Sequence, residues 1–497
     1  MGENYRKEWS TPVQMKVFDL QKEKGGFTIT GLGGGTQTVS LNLRNNSDKK
    51  DYTLRIVDKN PGQTIPNAFR GSLATSMEDE LKTATLPYGS LIVPGLTDAL
   101  HIAAPNPELF FVPDDPALGF YREICRNKIA MLEKKDPTFD GSNARATAKI
   151  FSEMIDEPDH RPLQHEALRA RLLDMIIADY DRHLAQWKWD TQDTGKGKVY
   201  SPIPKDRDQA FFYSNGIMMK FLTRGNLPFL KGFRSDIPKV NWLNYAARDF
   251  DRIYLTDLDE KDWQKEISIV KTKLTDSVIQ AAAKRLPAEI YPIHGETIAS
   301  KMISRRNLIE QAAMSYYRFL SERVNIIGSN KSEIFRVSNT PDGKLHVKVL
   351  VRERSDTSFV MYDRVFDPKV TREIRMFGLN DKDVFVVDSN TRSTIKLRMI
   401  GGQDNDTFDI RGKVEAMLYD TRDTGNYIRN RSHAKNRFSS NTPVNEKSLF
   451  NFNYGFSKFP QLSFDFNSND HFYMGAGYSK RTFGFRNLPY ATDRSEE

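Results

Sequence analysis

Cys125 is the one cysteine in 497 residues, so neither an internal disulfide nor a cysteine-rich zinc site can form, and cysteine says nothing about compartment. Long apolar runs are missing too. The first ten residues, MGENYRKEWS, lack the apolar stretch of a secretory signal, and nowhere do about eighteen apolar residues follow one another, so neither a signal peptide nor a membrane-spanning helix is expected in this chain. Met1-Gly2 begins like a myristoylation signal, but Arg6 stands where serine or threonine is required. Charge of one sign is nowhere concentrated. The 73 basic residues interleave with 65 acidic ones, for a net charge of +8 and a pI near 9.1. A nucleic-acid footprint needs a basic face, so no nucleic-acid partner is expected; the mildly basic Arg429 to Arg437 reads as a solvated loop. The eight histidines form no zinc-protease motif.

What is present divides the chain by texture. Its length suits two to four domains. Up to residue 119 strands dominate: the Val17 region, Phe27 to Ile29, Thr36 to Leu43, Tyr52 to Val57, Leu91 to Pro94 and Leu109 to Val112, with a helix start at Ser76 to Thr85. The segment VPDDPALG, Val112 to Gly119, is a turn by composition. Residues 120–325 read as mainly helical, since Leu168, Leu172, Met175 and Ile176 share one face, Trp263, Ile267, Val270 and Leu274 another, and Ile298, Met302, Arg305 and Ile309 a third. From 328 to 425, runs such as HVKVLV and TIKLRMI return to strand character. Residues 445–497 alternate in longer aromatic strands, the pattern of outer-membrane barrel strands; about four are present where a closed barrel needs at least about eight, and a soluble antiparallel sheet is the competing reading.

Two acidic clusters stand out. DYDRHLAQWKW carries Asp179 and Asp181 at the end of an apolar helix, and PKDRDQAFF carries Asp206 and Asp208. A phosphoryl-transfer site needs one carboxylate to orient the acceptor hydroxyl and another to hold the magnesium that bridges the nucleotide phosphates. The competing reading is a buried ion-pair network with Arg182 and Arg207. Flanking Trp187, Trp189, Phe211 and Phe212 argue against a solvated face. Further upstream, Gly33, Gly34 and Gly35 lie in a turn that suits close approach to a phosphate and equally any tight hairpin.

LLDMIIADYDRHLAQW resembles the catalytic loop of atypical kinases (HipA-type, type II phosphatidylinositol and secretory-pathway kinases), and KDRDQAFF resembles their metal loop. The resemblance implies an α+β, two-lobed, protein-kinase-like domain binding Mg and ATP. Asp181 would be the base or acceptor-orienting residue, Gln186 and Asp206, with Asp208 beside it, the magnesium ligands, and Gly33 to Gly35 the phosphate-covering turn. The strand that carries the ATP-pairing lysine offers Arg55, with Lys59 beyond its end, and Glu78 or Glu80 would pair with that basic residue. Arg55 for lysine and Gln186 for asparagine depart from the pattern, and arginine does not replace lysine freely at a phosphate site. A pseudokinase is the alternative.

Gly378 to Phe385 (GLNDKDVF) is echoed 23 residues later by Gly401 to Phe408 (GGQDNDTF). The echo resembles the calcium-binding nonapeptide repeats of RTX β-rolls, which would make Asp404 and Asp406 calcium ligands. Two copies at that spacing do not make a nine-residue coil, so repeated tight turns between strands are the primary reading and calcium the alternative.

As a whole, YRKEW, GGGTQTVSLNLR, PDDPALG, PIPKDRDQAFF, REIRMFGLNDKD and IGGQDNDTF resemble the central region of bacterial outer-membrane proteins in which a metallophosphoesterase domain precedes and a BamA-like (surface antigen) barrel follows. That resemblance implies an outer-membrane or periplasmic location, a barrel partner, a split or truncated gene product, and the first strands of a barrel at the C-terminus. The phosphoesterase's metal motifs are absent here, so its activity is not carried over.

Overall fold

Alternating strands near the N-terminus build a six-stranded sheet: β1 (Lys16–Val17), β2 (Phe27–Gly33), β3 (Ser40–Asn45), β4 (Asp51–Ile56), β5 (Glu108–Val112) and β6 (Lys128–Lys134), in the order β1-β5-β6-β4-β3-β2. The computed structural model describes residues 4–34, 39–58, 80–216, 220, 223, 228–237, 239–352, 358–422, 425–440, 456–467, 471–485 and 487–496. Neighbouring strands run antiparallel except β1 beside β5. Leu41, Leu43, Leu54, Phe110 and Leu132 fill one face of this sheet. Period-two alternation puts them there, because every second side chain of a strand points the same way.

Next comes the helical body. The helices that concern the site are α1 (Val93–Ala99), α2 (Gln164–Ile177), α3 (Arg248–Tyr254), α4 (Glu260–Lys273), α5 (Asp276–Ala283) and α6 (Glu296–Ser321). Leu91 to Pro94, expected as strand, instead forms a 3-10 turn and the start of α1. Pro94 sits in the first helical turn, where its missing N–H leaves no bond unmade. In the turn 112–119, Asp115 caps the amide of Ala117 at 2.8 Å and Asp114 pairs with Arg122. A small sheet of β7 (Arg145–Ala146), β8 (Arg161–Pro162), β9 (Trp187–Asp193) and β10 (Lys198–Pro204), ordered β7-β9-β10-β8, lies against the helices, with β9 and β10 as an antiparallel hairpin.

Beyond residue 322 the chain winds into a two-sheet solenoid. One sheet takes β11 (Arg323–Ile327), β15 (Glu373–Leu379), β17 (Arg392–Gly402), β19 (Lys413–Tyr419) and β21 (Lys435–Asn436), all parallel. The other takes β12 (Glu333–Asn339), β16 (Val384–Val387), β18 (Thr407–Ile410) and β20 (Tyr427–Asn430) in parallel, extended at one edge by the antiparallel β13 (Leu345–Arg352) and β14 (Ser358–Phe366). Each copy of the glycine-aspartate echo turns the chain between strands, from β15 to β16 and from β17 to β18. Val384 pairs with Thr407 and Phe385 with Phe408, so the two copies are consecutive corners of one winding. Buried Phe335, Phe385 and Phe408 stack inside, with ring centroids 4.7 and 5.1 Å apart.

The last strands, β22 (Phe456–Asn467), β23 (His471–Gly484) and β24 (Asn487–Glu496), form an antiparallel sheet of three. Among the described residues no barrel closes and no helix is long and apolar enough to cross a membrane. The architecture is mixed α/β with several sheets.

Phe385 touches an aromatic ring on both neighbouring coils, so Phe385→Ala should lower the unfolding free energy by about 3–5 kcal/mol through lost burial and the cavity left behind. Urea denaturation followed by circular dichroism measures it. A cost below about 1 kcal/mol would mean that the phenylalanine column does not hold the coils together.

Candidate functional site

Between the first sheet and the helical body opens a cleft. Arg55 and Val57 of the β4 end, Met131 and Glu133 of β6, the 85–90 segment, and Asp206 to Asp208 line it. Two loops joined by the β9–β10 hairpin meet at its polar end, and residues 206–208 of the second line it.

The first loop begins where α2 stops. Ala178 takes a left-handed conformation (φ 54°) that ends the helix, and the chain turns out through Asp179 to His183. Most of α2 is buried, and its C-terminal carbonyls have no helical partner of their own. Arg305 of α6 supplies one: its guanidinium donates to the carbonyls of Met175 at 2.6 Å and Ile176 at 2.7 Å, and also to those of Arg234 and Asp236. Burial pulls this guanidinium down to about 9. Arg305 shares a face with Ile298, Met302 and Ile309, and its four carbonyl acceptors account for a buried arginine there.

The second loop leaves the β9–β10 hairpin. Pairing of Trp187 with Pro204 brings residues 181–186 and 205–208 to one end of that hairpin, and the Lys205 amide donates to the Gln186 carbonyl at 2.9 Å. Fully buried Arg182 ties the two loops together. It donates to the Lys205 carbonyl at 2.6 Å and to the Gln186 carbonyl at 3.2 Å, and it packs over the ring of Trp187. Its charge faces Asp174 at 3.5 Å and Asp179 at 3.7 Å. Arg207 reaches the same two carboxylates, and burial lowers its guanidinium to about 9. Beneath them Arg171 pairs with Asp174 and Asp251, and Tyr316 donates to Asp251 at 2.8 Å.

The expected acids thus separate into two sets. Asp179 belongs to the buried ionic network, where desolvation lifts its carboxyl to about 7 against the pull of Arg182. Asp181, with 40% of its side chain exposed, faces His183 instead. Desolvation raises its carboxyl, His183 opposes the rise, and Asp208 and Asp206 add to it, which puts these three carboxylates in one electrostatic neighbourhood. Asp206 has a left-handed φ of 55°, and its carboxylate accepts from Arg55 of β4 at 2.6 Å. Glu133, not anticipated from the sequence, lies 3.6 Å from the same guanidinium; burial raises its carboxyl although Arg55 and Lys205 work to lower it.

The remaining expected site residues fall elsewhere or outside the described residues. Glu80 does not pair with Arg55, because it lies at the far side of the N-terminal segment: its carboxylate bonds Arg6 at 3.0 Å and the Ser214 hydroxyl at 2.8 Å. Gly33 closes β2 opposite Ser40, Gly34 has a left-handed φ of 112°, and neither lines the cleft. Gly35, Lys59 and Glu78 lie outside the described residues. Gln186, half-buried, contributes its backbone to the loop junction. In the solenoid, Asp404 and Asp406 differ in burial. Asp404, exposed and left-handed (φ 72°), turns the corner and accepts from the Asp381 amide, whereas Asp406 is buried.

Magnesium commonly uses one or two protein carboxylates and leaves its other positions to phosphate and water. Asp206 and Asp208, both lining the cleft beside the arginine, fit that demand. Among the described residues no group of three or more histidine, cysteine, aspartate or glutamate side chains is arranged to hold a metal alone. A nucleotide's phosphates would have to complete the set.

No family model matches the chain, and no curated protein matches it. Among solved structures it is similar to the crystal structure of a Helicobacter pylori proinflammatory kinase, CtkA, at 13% sequence identity, over 61% of this chain and 98% of that one, with a TM-score of 0.35. A likeness that distant carries no argument about the chemistry of this cleft, and none of these comparisons supports the outer-membrane resemblance.

Arg305→Met should cost at least about 3 kcal/mol in urea unfolding, since several buried carbonyls lose a charged donor together. Arg305→Lys should recover little of it, because one ammonium cannot span the end of α2 and the carbonyls of residues 234 and 236. A loss under about 1 kcal/mol would show that the clamp is idle.

Proposed function

We propose that the cleft under β4 and β6 binds a nucleoside triphosphate with magnesium and that residues 1–325 work as an atypical kinase-like phosphotransferase. The observation that carries this reading is the contact of Arg55 with Asp206, 151 positions apart in sequence and joined at 2.6 Å across the mouth of the cleft. A strand-borne cation facing a loop-borne carboxylate, with a second carboxylate loop alongside, is the set of charges that phosphoryl transfer uses.

Each side chain has a defined part. Arg55 offers a guanidinium to the phosphates, and Glu133 keeps it oriented from β6. Asp206 and Asp208, with the Gln186 amide, would hold magnesium, whose charge offsets that of the phosphate oxygens. Asp181 stands half-exposed, where it can accept a hydrogen bond from an acceptor hydroxyl and orient it. Arg182 and Arg305 hold the two loops in register from below, away from the reacting groups.

A second reading is a non-catalytic module that assists an outer-membrane barrel. One observation favours it: Arg55 is already engaged by Asp206 and Glu133, so nucleotide must compete with an existing ion pair. Under this reading Asp181→Ala leaves the cellular phenotype untouched and deletion of residues 330–497 abolishes it.

Mg-ATP at about a hundred times its Kd should stabilise the protein by about 2.7 kcal/mol, read as a rise in melting temperature. Asp206→Ala should abolish that rise. Asp181→Asn should keep it while transfer to an acceptor falls by at least about 100-fold. If no nucleotide with magnesium shifts the melting temperature, the cleft is not a nucleotide site and the reading fails.

A further inference from the structure

The corner where each solenoid coil passes from the first sheet to the second collects oxygen atoms and little else. The parallel register aligns Glu333, Asp383, Asp406 and Asn426 in one column, just before the pairs Ile334–Val384, Val384–Thr407 and Thr407–Tyr427. A second column aligns Gly328, Gly378, Gly401 and Asp420, just after Ile327–Phe377, Phe377–Ile400 and Ile400–Tyr419. The first column is stitched to itself. Asp383 accepts from the amide of Glu333 at 2.8 Å, Asp406 from the amide of Asp383 at 2.8 Å, and Asn426 from the amide of Asp406 at 2.6 Å.

Each aspartate spends one oxygen on that ladder and has another left over. Oδ2 of Asp383, Asp406 and Asp420 is buried with no hydrogen-bond partner, on residues only 1%, 1% and 0% exposed. These atoms point into the space that the glycine column leaves open. At Gly328 that space is bounded by Glu333 Oε2 and the carbonyls of Phe377 and Gly378, which lie 2.7, 2.8 and 2.9 Å from where a Cβ would be. At Gly378 it is bounded by Asp383 Oδ2 and the Gly401 carbonyl, and at Gly401 by Asp406 Oδ2 and Asp420 Oδ2 together. Glycine is required at 328, 378 and 401, because a Cβ at any of them would collide with these oxygens.

An all-oxygen nest whose carboxylates are all ionised is unstable as it stands. Removing an ionised carboxylate from water without a partner is costly, and here several sit one above another. Among the described residues none of Glu333, Asp383, Asp406 and Asp420 has a lysine or arginine at ion-pair distance; burial raises the carboxyls of Asp383 and Asp406, and neighbouring carboxylates add to the rise. Either protons shared between neighbouring carboxyls or a cation has to neutralise the column. Donors that are carboxylate and carbonyl oxygen alone suit a hard cation, and calcium accepts irregular sets of about six to eight such oxygens, where magnesium demands a near-ideal octahedron.

We propose that the solenoid corner formed by Glu333, Asp383, Asp406 and Asp420 takes divalent cations of the calcium class between successive coils. No three acidic side chains share one nest, so backbone carbonyls and water complete each coordination shell. Asp404 is not a ligand in this arrangement. It stands on the rim and holds the turn, while the buried members of the column do the binding. The cation joins neighbouring coils through their corners, as the phenylalanine column does through their interior.

The test uses the full chain, stripped with EDTA and exchanged into divalent-free buffer at about pH 7.5, then titrated with calcium chloride and, separately, magnesium chloride. Calorimetric titration should show calcium binding, and saturating calcium should raise the melting temperature by about 5 °C or more. Magnesium should do markedly less. The double variant Asp406→Asn with Asp420→Asn should lose at least one bound calcium and most of the shift, and Asp388→Asn at the opposite corner, between β16 and β17, should keep both. If the double variant does not fold, the intact protein decides. Absence of both heat and thermal shift with calcium overturns the proposal, as does a double variant that folds and binds with unchanged stoichiometry. A double variant more stable than the parent and indifferent to calcium also overturns it, since that is how a column neutralised by protons alone behaves.

Discussion

Arg182, buried without solvent and bonded to carbonyls of two different loops, is the interaction on which the first half of the molecule depends. An arginine in that position is costly unless its donors and its charge are both met. The carbonyls take the two terminal nitrogens, Nε faces Asp174 at ion-pair distance, and Asp174 and Asp179 meet the charge. What emerges is a fixed distance between the loop carrying Asp181 and the loop carrying Asp206. Arg305 repeats the device one layer further down, at the end of α2. The cleft therefore rests on a floor of buried guanidinium groups, whereas its upper wall is an ordinary antiparallel sheet.

That division explains why the acidic clusters serve two purposes. In DYDRH the first aspartate points down into the ionic floor and the second stays near the surface, because the left-handed Ala178 redirects the chain between α2 and the loop. In KDRD the arginine points down and its flanking aspartates line the cleft. A buried ion-pair network and a reactive site are not alternatives here. They are the two faces of the same short segments.

The solenoid obeys a different logic. Its coils are held inside by stacked phenylalanines and at one corner by stacked carboxylates, and the two columns sit two residues apart on the same inward face: Glu333 and Phe335, Asp383 and Phe385, Asp406 and Phe408. Parallel pairing makes this possible, since it places equivalent residues of successive coils directly over one another.

The helices over Leu168–Ile176, Trp263–Val270 and Ile298–Ile309, the strands around Leu41, Leu54 and Phe110, and the sheet character beyond residue 328 were legible in the sequence, because periodic burial dictates local structure. The two acidic clusters were legible as well, since two close pairs of acids beside aromatics are unusual. Leu91 to Pro94 misled, because a short apolar run fits strand and helix equally until its neighbours are known. Partners across space were not legible: that Arg55 meets Asp206 while Glu80 meets Arg6, or that two echoes 23 residues apart stack as coils. Spacing along a chain fixes which side chains share a face of one element, and only the packing of one element on another decides which charges are left to neutralise each other away from water.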